Sequence, residues 1–217
     1  MSPSTDPIDA REKMVETQIV ARGITDLRVI EAMRWLPRER FFPGEIRAHA
    51  FDDAAAAVGC GQTISQPYVV ALMTQALEVK PYHKVLEIGT GTGYQAALLG
   101  RLAGEVYTVE RIKPLLDEAF ERLLSLHVRN VHFHFGDGSL GWPAKGPYDR
   151  VLLTAATPDV GEALLGQLSD NGICVAPVGP RNEQRLTKIT RNGAHYRRED
   201  LGGVKFVPLI GEGGWPS

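Results

Sequence analysis

Cysteine is nearly absent from this chain of 217 residues: Cys60 and Cys174 stand far apart, with no CxxC and no Cys/His cluster around either. A disulfide framework and a thiolate zinc site are both excluded on that count, and each thiol is expected to be a small, reduced, buried side chain. Long apolar runs are also missing. No stretch approaches the roughly 18 residues of a membrane span, and Met1 to Asp9 has no apolar core of the kind a secretory leader carries. Charge of one sign is not in excess either. The 24 basic and 26 acidic residues give a net charge of −2 and form no basic stripe, so neither nucleic acid nor a membrane is expected as a partner. The expectation is a soluble, cytoplasmic monomer, without repeats or low-complexity segments.

What is present suffices for one sizeable core, since 43% of the residues are hydrophobic. A single domain over 1–217 is expected, in three parts: a helical segment and loop over 1–80, a ligand-binding core over 81–180, and a hairpin with an edge strand over 181–217. In the first part Ile8, Val15 and Ile19 recur at helical spacing before Gly23. Asp26 is placed to cap a helix from Leu27 to Trp35, which Pro37 ends. After an irregular stretch, Pro67 opens a helix over 67–79 whose apolar stripe is Val69, Leu72, Met73, Ala76 and Leu77.

From Lys84 the apolar pattern alternates between strand and helix. Strands are expected at Val85–Ile88, Val106–Glu110, Val131–Phe135, Arg150–Ala155 and Ile173–Val178. Helices are expected at Tyr94–Ala103, around Ile112 to Leu123, and near Gly161–Leu168. This rhythm means βαβ units around a parallel sheet with helices on both faces, an α/β fold. Arg185–Thr190 and Ala194–Arg197 then read as a hairpin about Arg191-Asn192-Gly193, followed by a short strand at Val204–Leu209, which makes the edge antiparallel.

Leu86-Glu87-Ile88-Gly89-Thr90-Gly91-Thr92-Gly93-Tyr94 falls where the first parallel strand turns into its helix, and glycines there let a backbone approach a ligand closely. The spacing of Gly91, Gly93 and Ala96, with Glu110 some twenty residues on, also fits a dinucleotide site, so an NAD-dependent oxidoreductase is a competing reading. Glu87 tilts the choice. An acid at the end of a buried strand needs a cation or hydrogen-bond donors, and a sulfonium cofactor with an ammonium group brings positive charge where a pyrophosphate would be repelled. Glu110 is suited to accept from a ribose diol, and Asp137 in Gly136-Asp137-Gly138 to accept from an adenine amine. The competing structural readings are a solvated strand end for Glu87, a surface pair with Arg111 or Lys113 for Glu110, and an Asp-Gly turn for Asp137. Three acids at successive strand ends with no metal-ligating partner point to S-adenosylmethionine and to no metal.

Gly61-Gln62-Thr63-Ile64-Ser65-Gln66-Pro67-Tyr68, taken with Leu86 to Tyr94, resembles the protein-L-isoaspartate O-methyltransferase family. The likeness continues through Val109-Glu110-Arg111, Gly136-Asp137-Gly138, Thr154-Ala155-Ala156, Pro177-Val178-Gly179 and Phe206-Val207-Pro208-Leu209, over nearly the whole chain. Its main departure is Ala54 to Cys60, where the family more often has bulkier sequence. The resemblance implies a Rossmann-like methyltransferase sandwich and methylation of the free α-carboxyl of L-isoaspartyl residues, leading through a succinimide toward repair. It implies Ser65 as the active-site residue beside the methyl donor and cofactor contacts at Thr63, Ile64, Glu87, Gly89, Thr90, Gly91, Glu110, Arg111, Asp137, Gly138 and Thr154. Substrate contacts are implied at Ser65, Tyr68 and Val207.

No GxSxG elbow surrounds Ser65, which leaves it a positioning role rather than covalent attack. Its competing role is N-cap of the helix opening at Pro67. His132 and His134 alternate with Phe133 and Phe135 as in an ordinary half-covered strand, which argues against metal binding.

Overall fold

The computed structural model describes residues 6–216. Seven strands form the main sheet: β3 (Lys84–Ile88), β4 (Glu105–Glu110), β5 (Val131–Phe135), β6 (Tyr148–Leu153), β7 (Leu168–Val178), β8 (Gln184–Asn192) and β9 (His195–Val204), in the order β5-β4-β3-β6-β7-β8-β9. The first five are mutually parallel, and β8 and β9 add on antiparallel. The central strands are buried on both faces, which is why Val151 to Leu153 reads as a continuous apolar run and Val85 to Ile88 is apolar at every position but Glu87. Strand order reverses between β3 and β6, and the carboxyl ends flanking such a reversal form a crevice in which ligands bind.

Helices α4 (Tyr94–Leu102) and α5 (Lys113–Ser125) follow β3 and β4. The front segment supplies α1 (Pro7–Met14), α2 (Leu27–Trp35) and α3 (Pro67–Ala76). Asp26 caps α2 by accepting from the Arg28 N–H at 2.9 Å, and Gly23 takes the left-handed conformation at φ 87° that ends the preceding helical run. Met14, Ile19, Met33, Leu36, Val70 and Met73 share one core with Val85, Leu98 and Val106, so the front helices pack directly on one face of the sheet.

Four local expectations are corrected. The stretch before Ile64 carries a small antiparallel pair, β1 (Ala56–Gly59) with β2 (Gln62–Ile64). Cys60 sits at its tip with φ 51° and is exposed, not buried, because the left-handed turn Gly59-Cys60-Gly61 lifts it into solvent. Cys174 is buried as expected, and burial pushes its thiol up to about 12. The helix near Gly161 is a single turn, α6 (Glu162–Leu165), after which Leu168 already begins β7. Finally, the expected strand at Val204–Leu209 is not one. β9 ends at Val204, and beyond it Pro208 makes only a bridge with Ala156, since a proline has no N–H to extend a ladder.

Candidate active site

The glycine loop owes its shape to close packing. Gly89 has φ 95°, and a Cβ there would lie 2.4 Å from Thr154 Oγ1. That hydroxyl donates into the loop's Gly89 carbonyl at 2.6 Å, so Thr154, at the end of β6, fastens the loop that follows β3. From the other side Glu110 does the same: its Oε2 accepts the Gly91 N–H at 3.0 Å and its Oε1 the Ile112 N–H at 2.9 Å. Glu110 is therefore not a surface partner of Arg111 or Lys113.

Glu87 is 0% exposed, which rules out a solvated strand end. Its Oε2 accepts from Thr108 Oγ1 at 2.6 Å, and Thr108 in turn lies 2.7 Å from Thr90 Oγ1, while Oε1 is buried with no hydrogen-bond partner. Burial, helped by the nearby charge of Glu110 and opposed by the Thr108 hydrogen bond, pushes its carboxyl up to about 8. The folded chain thus holds a proton that the unfolded chain releases near 4.5, and the stability gained from holding it is lost as pH rises from there to about 8. Glu87→Gln should accordingly flatten the fall in thermal midpoint of the unliganded protein between those pH values. Parallel melting curves for variant and parent would contradict a buried, raised carboxyl.

A cavity opens over the loop, lined by Thr63, Ile64, Ser65, Gly89, Thr90, Gly91, Glu110, Thr154 and Val207 among the residues expected from sequence. Sequence reasoning missed Gln62, Val70, Met73, Thr92, Tyr94, Gln95 and Ala155 on the same walls, where Phe206 of the segment Phe206-Val207-Pro208 also lies. Val70 and Met73 follow from the i, i+3 spacing of α3, and Tyr94 closes the glycine motif itself. Among the described residues the only charged side chain on these walls is the carboxylate of Glu110. Such a lining suits a cationic ligand and has no lysine or arginine to offset a pyrophosphate.

Other expected residues fall elsewhere. Glu87 lies beneath the cavity and reaches it through Thr108 and Thr90. Arg111 and Asp137 line a neighbouring recess with Phe135, Gly136, Ile210 and Gly211. There Asp137 caps the turn Gly138–Leu140 by accepting from the Ser139 N–H, and it also accepts the Glu212 N–H at 2.8 Å. Burial pushes its carboxyl up, but the Ser139 hydroxyl at 2.6 Å, followed by these two N–H groups, holds it below the ordinary aspartate range. Gly138 packs on Ile88, where a Cβ would come within 2.7 Å of Ile88 Cγ2. Tyr68 lies under the Arg22 guanidinium, 3.7 Å from ring centroid to Cζ, and lines neither this cavity nor the groove beside it.

That groove, of about 550 Å³, runs between Ala54–Ala55, Gln66, Val69 and the segment 182–184 with Lys205. Thr63, Ser65 and Phe206 line both spaces and form the partition between them. The N-cap of α3 is Gln66, with no side-chain cap hydrogen bond, so Ser65 does not serve as the cap. His132 and His134 stack on Tyr107 and Trp142, at 4.7 and 4.6 Å between centroids. Among the described residues no group of three or more His, Cys, Asp or Glu is placed to hold a metal ion, and no helix is long and apolar enough to cross a membrane.

A sequence-family profile described as Protein-L-isoaspartate(D-aspartate) O-methyltransferase matches residues 9–214. A protein-L-isoaspartate O-methyltransferase of Dictyoglomus thermophilum is 52% identical over 205 residues, covering 94% of this chain and 93% of its own. One from Methanoculleus marisnigri is 49% identical with the same coverage. Among solved structures, a protein-L-isoaspartate O-methyltransferase superposes with a TM-score of 0.85 at 26% identity, covering 94% of this chain and 66% of that longer one. A Plasmodium falciparum structure, a candidate protein-L-isoaspartate O-methyltransferase in complex with S-adenosyl-L-homocysteine, superposes with a TM-score of 0.79 at 22% identity, covering 92% and 98%. The oxidoreductase reading finds no support among these relatives.

Proposed function

This chain belongs to the protein-L-isoaspartate(D-aspartate) O-methyltransferase family, and from that membership we infer how its site works. It is a transferase that moves the methyl group of S-adenosylmethionine to the free α-carboxyl of L-isoaspartyl residues in proteins and peptides. The observation that carries the assignment to this site is the partition of Thr63, Ser65 and Phe206, which stands between a cavity walled by the glycine loop and a groove of about 550 Å³. A reaction joining a small cofactor to a macromolecular carboxylate needs two such spaces meeting at one point.

S-adenosylmethionine, when bound, supplies an electrophilic methyl group. The chain's residues do the rest. The backbone at Gly89 and Gly91 accommodates close approach, and Glu110 presents carboxylate lone pairs to a diol while holding the loop in shape. Glu87, under the cavity, holds a proton in the unliganded chain and would release it to bear a negative charge beside an ammonium group. Thr63, Ile64 and Thr154 shape the walls, with Arg111 and Asp137 at the neighbouring recess and Gly138 leaving room beside Ile88. The acceptor is a carboxylate, a group that ordinarily titrates near pH ~4, so it is ionised at neutral pH and no base is needed. Ser65 is left to align an oxygen and Phe206, on the groove, to flank the peptide backbone, while Val207 lines the cofactor cavity and meets the peptide only where the two spaces join. Most of the acceleration then comes from proximity and the exclusion of water. The ester formed can close to a succinimide that reopens partly as normal aspartate, which makes the reaction a repair step.

Labelled S-adenosylmethionine and an isoaspartyl peptide should give a base-labile methyl ester, while the same peptide with normal aspartate gives none. Equal labelling of the two peptides, or of neither, would remove this reading.

A further inference from the structure

Arg38 carries a charge that neither the fold nor the cofactor cavity explains. It is 0% exposed, in the turn Arg38–Phe41 after α2. Its Nε donates to the Ala50 carbonyl at 2.8 Å and its Nη2 to the Ser65 carbonyl at 2.7 Å, while its Cζ lies 4.6 Å from the ring centroid of Tyr94, the first residue of α4. Nη1 is buried without a hydrogen-bond partner, and so is the Tyr94 hydroxyl. Among the described residues no carboxylate forms an ion pair with the guanidinium: Glu39, next to it in sequence, pairs with Arg11 at 3.6 Å, and the ionisable group acting on Arg38 is the neutral Tyr94. Burial lowers its pKa from the ordinary value, yet a guanidinium stays protonated in proteins.

A buried cation without a counterion is costly to desolvate, and a neutral donor would bracket two carbonyls at less cost. The charge has a use at one place only. Ser65 separates Arg38 from the groove, and the acceptor entering that groove is an anion shedding its water. Tyr94, against whose ring the guanidinium packs, lines the cofactor cavity. One side chain therefore touches the acceptor loop and the start of the cofactor helix together.

We propose that Arg38 is a positioning residue for methyl transfer: it clamps the Ser65 backbone against Tyr94, and its unbalanced charge draws the substrate carboxylate to Ser65. The assignment rests on the methyltransferase reading above, and the parent enzyme serves as the control that separates the two. If the parent gives no ester from the isoaspartyl peptide, that reading fails.

Arg38→Met keeps length and apolar contact while removing charge and donors. Its kcat should fall about 10- to 100-fold with a raised KM for the isoaspartyl peptide, while the Kd for S-adenosyl-L-homocysteine stays within about threefold of the parent. Arg38→Lys, which restores charge but reaches one carbonyl, should recover the peptide KM and only part of kcat. A cofactor-binding Arg38→Met enzyme with parental kcat and KM would overturn the proposal. Loss of cofactor affinity in step with turnover would overturn it too, since a bracket for the cavity alone behaves that way. Should the Met variant not fold, the Lys variant decides: parental kcat in it refutes the two-carbonyl clamp.

Discussion

Ser65→Ala is expected to lower kcat on an isoaspartyl peptide by about 100-fold while leaving the Kd for S-adenosyl-L-homocysteine within about twofold of the parent. The two halves of this expectation come from different parts of the structure. Ser65 stands on the partition between cavity and groove, and its carbonyl, not its hydroxyl, is tied down, by Arg38. Helix α3 is capped from Gln66 without a side-chain hydrogen bond, so deleting the Ser65 hydroxyl removes no capping interaction and the fold should be unaffected. What is lost is an oriented donor at the point where an acceptor oxygen must line up with a methyl group. Steady-state kinetics with calorimetric titration of the product cofactor would read both quantities. An alanine variant that turns over like the parent would leave Ser65 as wall only.

Glu110→Ala should act on binding rather than turnover, raising the Kd for S-adenosyl-L-homocysteine about 100-fold, or ~3 kcal/mol. The carboxylate holds two backbone donors, Gly91 N–H and Ile112 N–H, which is what keeps the loop between β3 and α4 in its binding shape. It is also the one charged group on the cavity wall, where a ribose diol would meet it. Hydrogen bonds to an ionised acceptor are each worth about 1.5–3 kcal/mol, so losing the loop anchor and the diol contact together supports that size. Glu110→Gln, which keeps one acceptor oxygen, should fall between the two. An alanine variant binding the product cofactor as tightly as the parent would show that backbone contacts alone suffice.

Much of this architecture was legible in the sequence because local rules act there undisturbed. The cap at Asp26, the left-handed Gly23, the proline opening α3, the largely apolar β3 and β4 and the alternating β5 each rest on a few neighbouring residues, and these elements start within a residue of where they are expected. Reading failed where distant partners decide. The β1–β2 pair lacks a strong alternating pattern, the helix at Glu162 is cut short by the demand of β7, and Pro208 prevents the expected last strand from joining the sheet.

The functional residues divide along the same line. By itself the sequence determined the chemistry on offer: a glycine loop after a strand, acids at successive strand ends, a serine before a helix, and a family signature in order. All of these are runs of adjacent residues, so they survive without coordinates. Only the tertiary structure decided what each does. It placed Glu87 out of sight beneath the loop with one oxygen unpartnered, turned Asp137 toward the Glu212 N–H, and kept Tyr68 away from both cavities. It also brought Arg38 against Ser65 and Tyr94, residues 27 and 56 positions further along the chain. Burial and charge balance depend on which distant segments meet, and no pattern among neighbours encodes that a guanidinium will be left without a counterion.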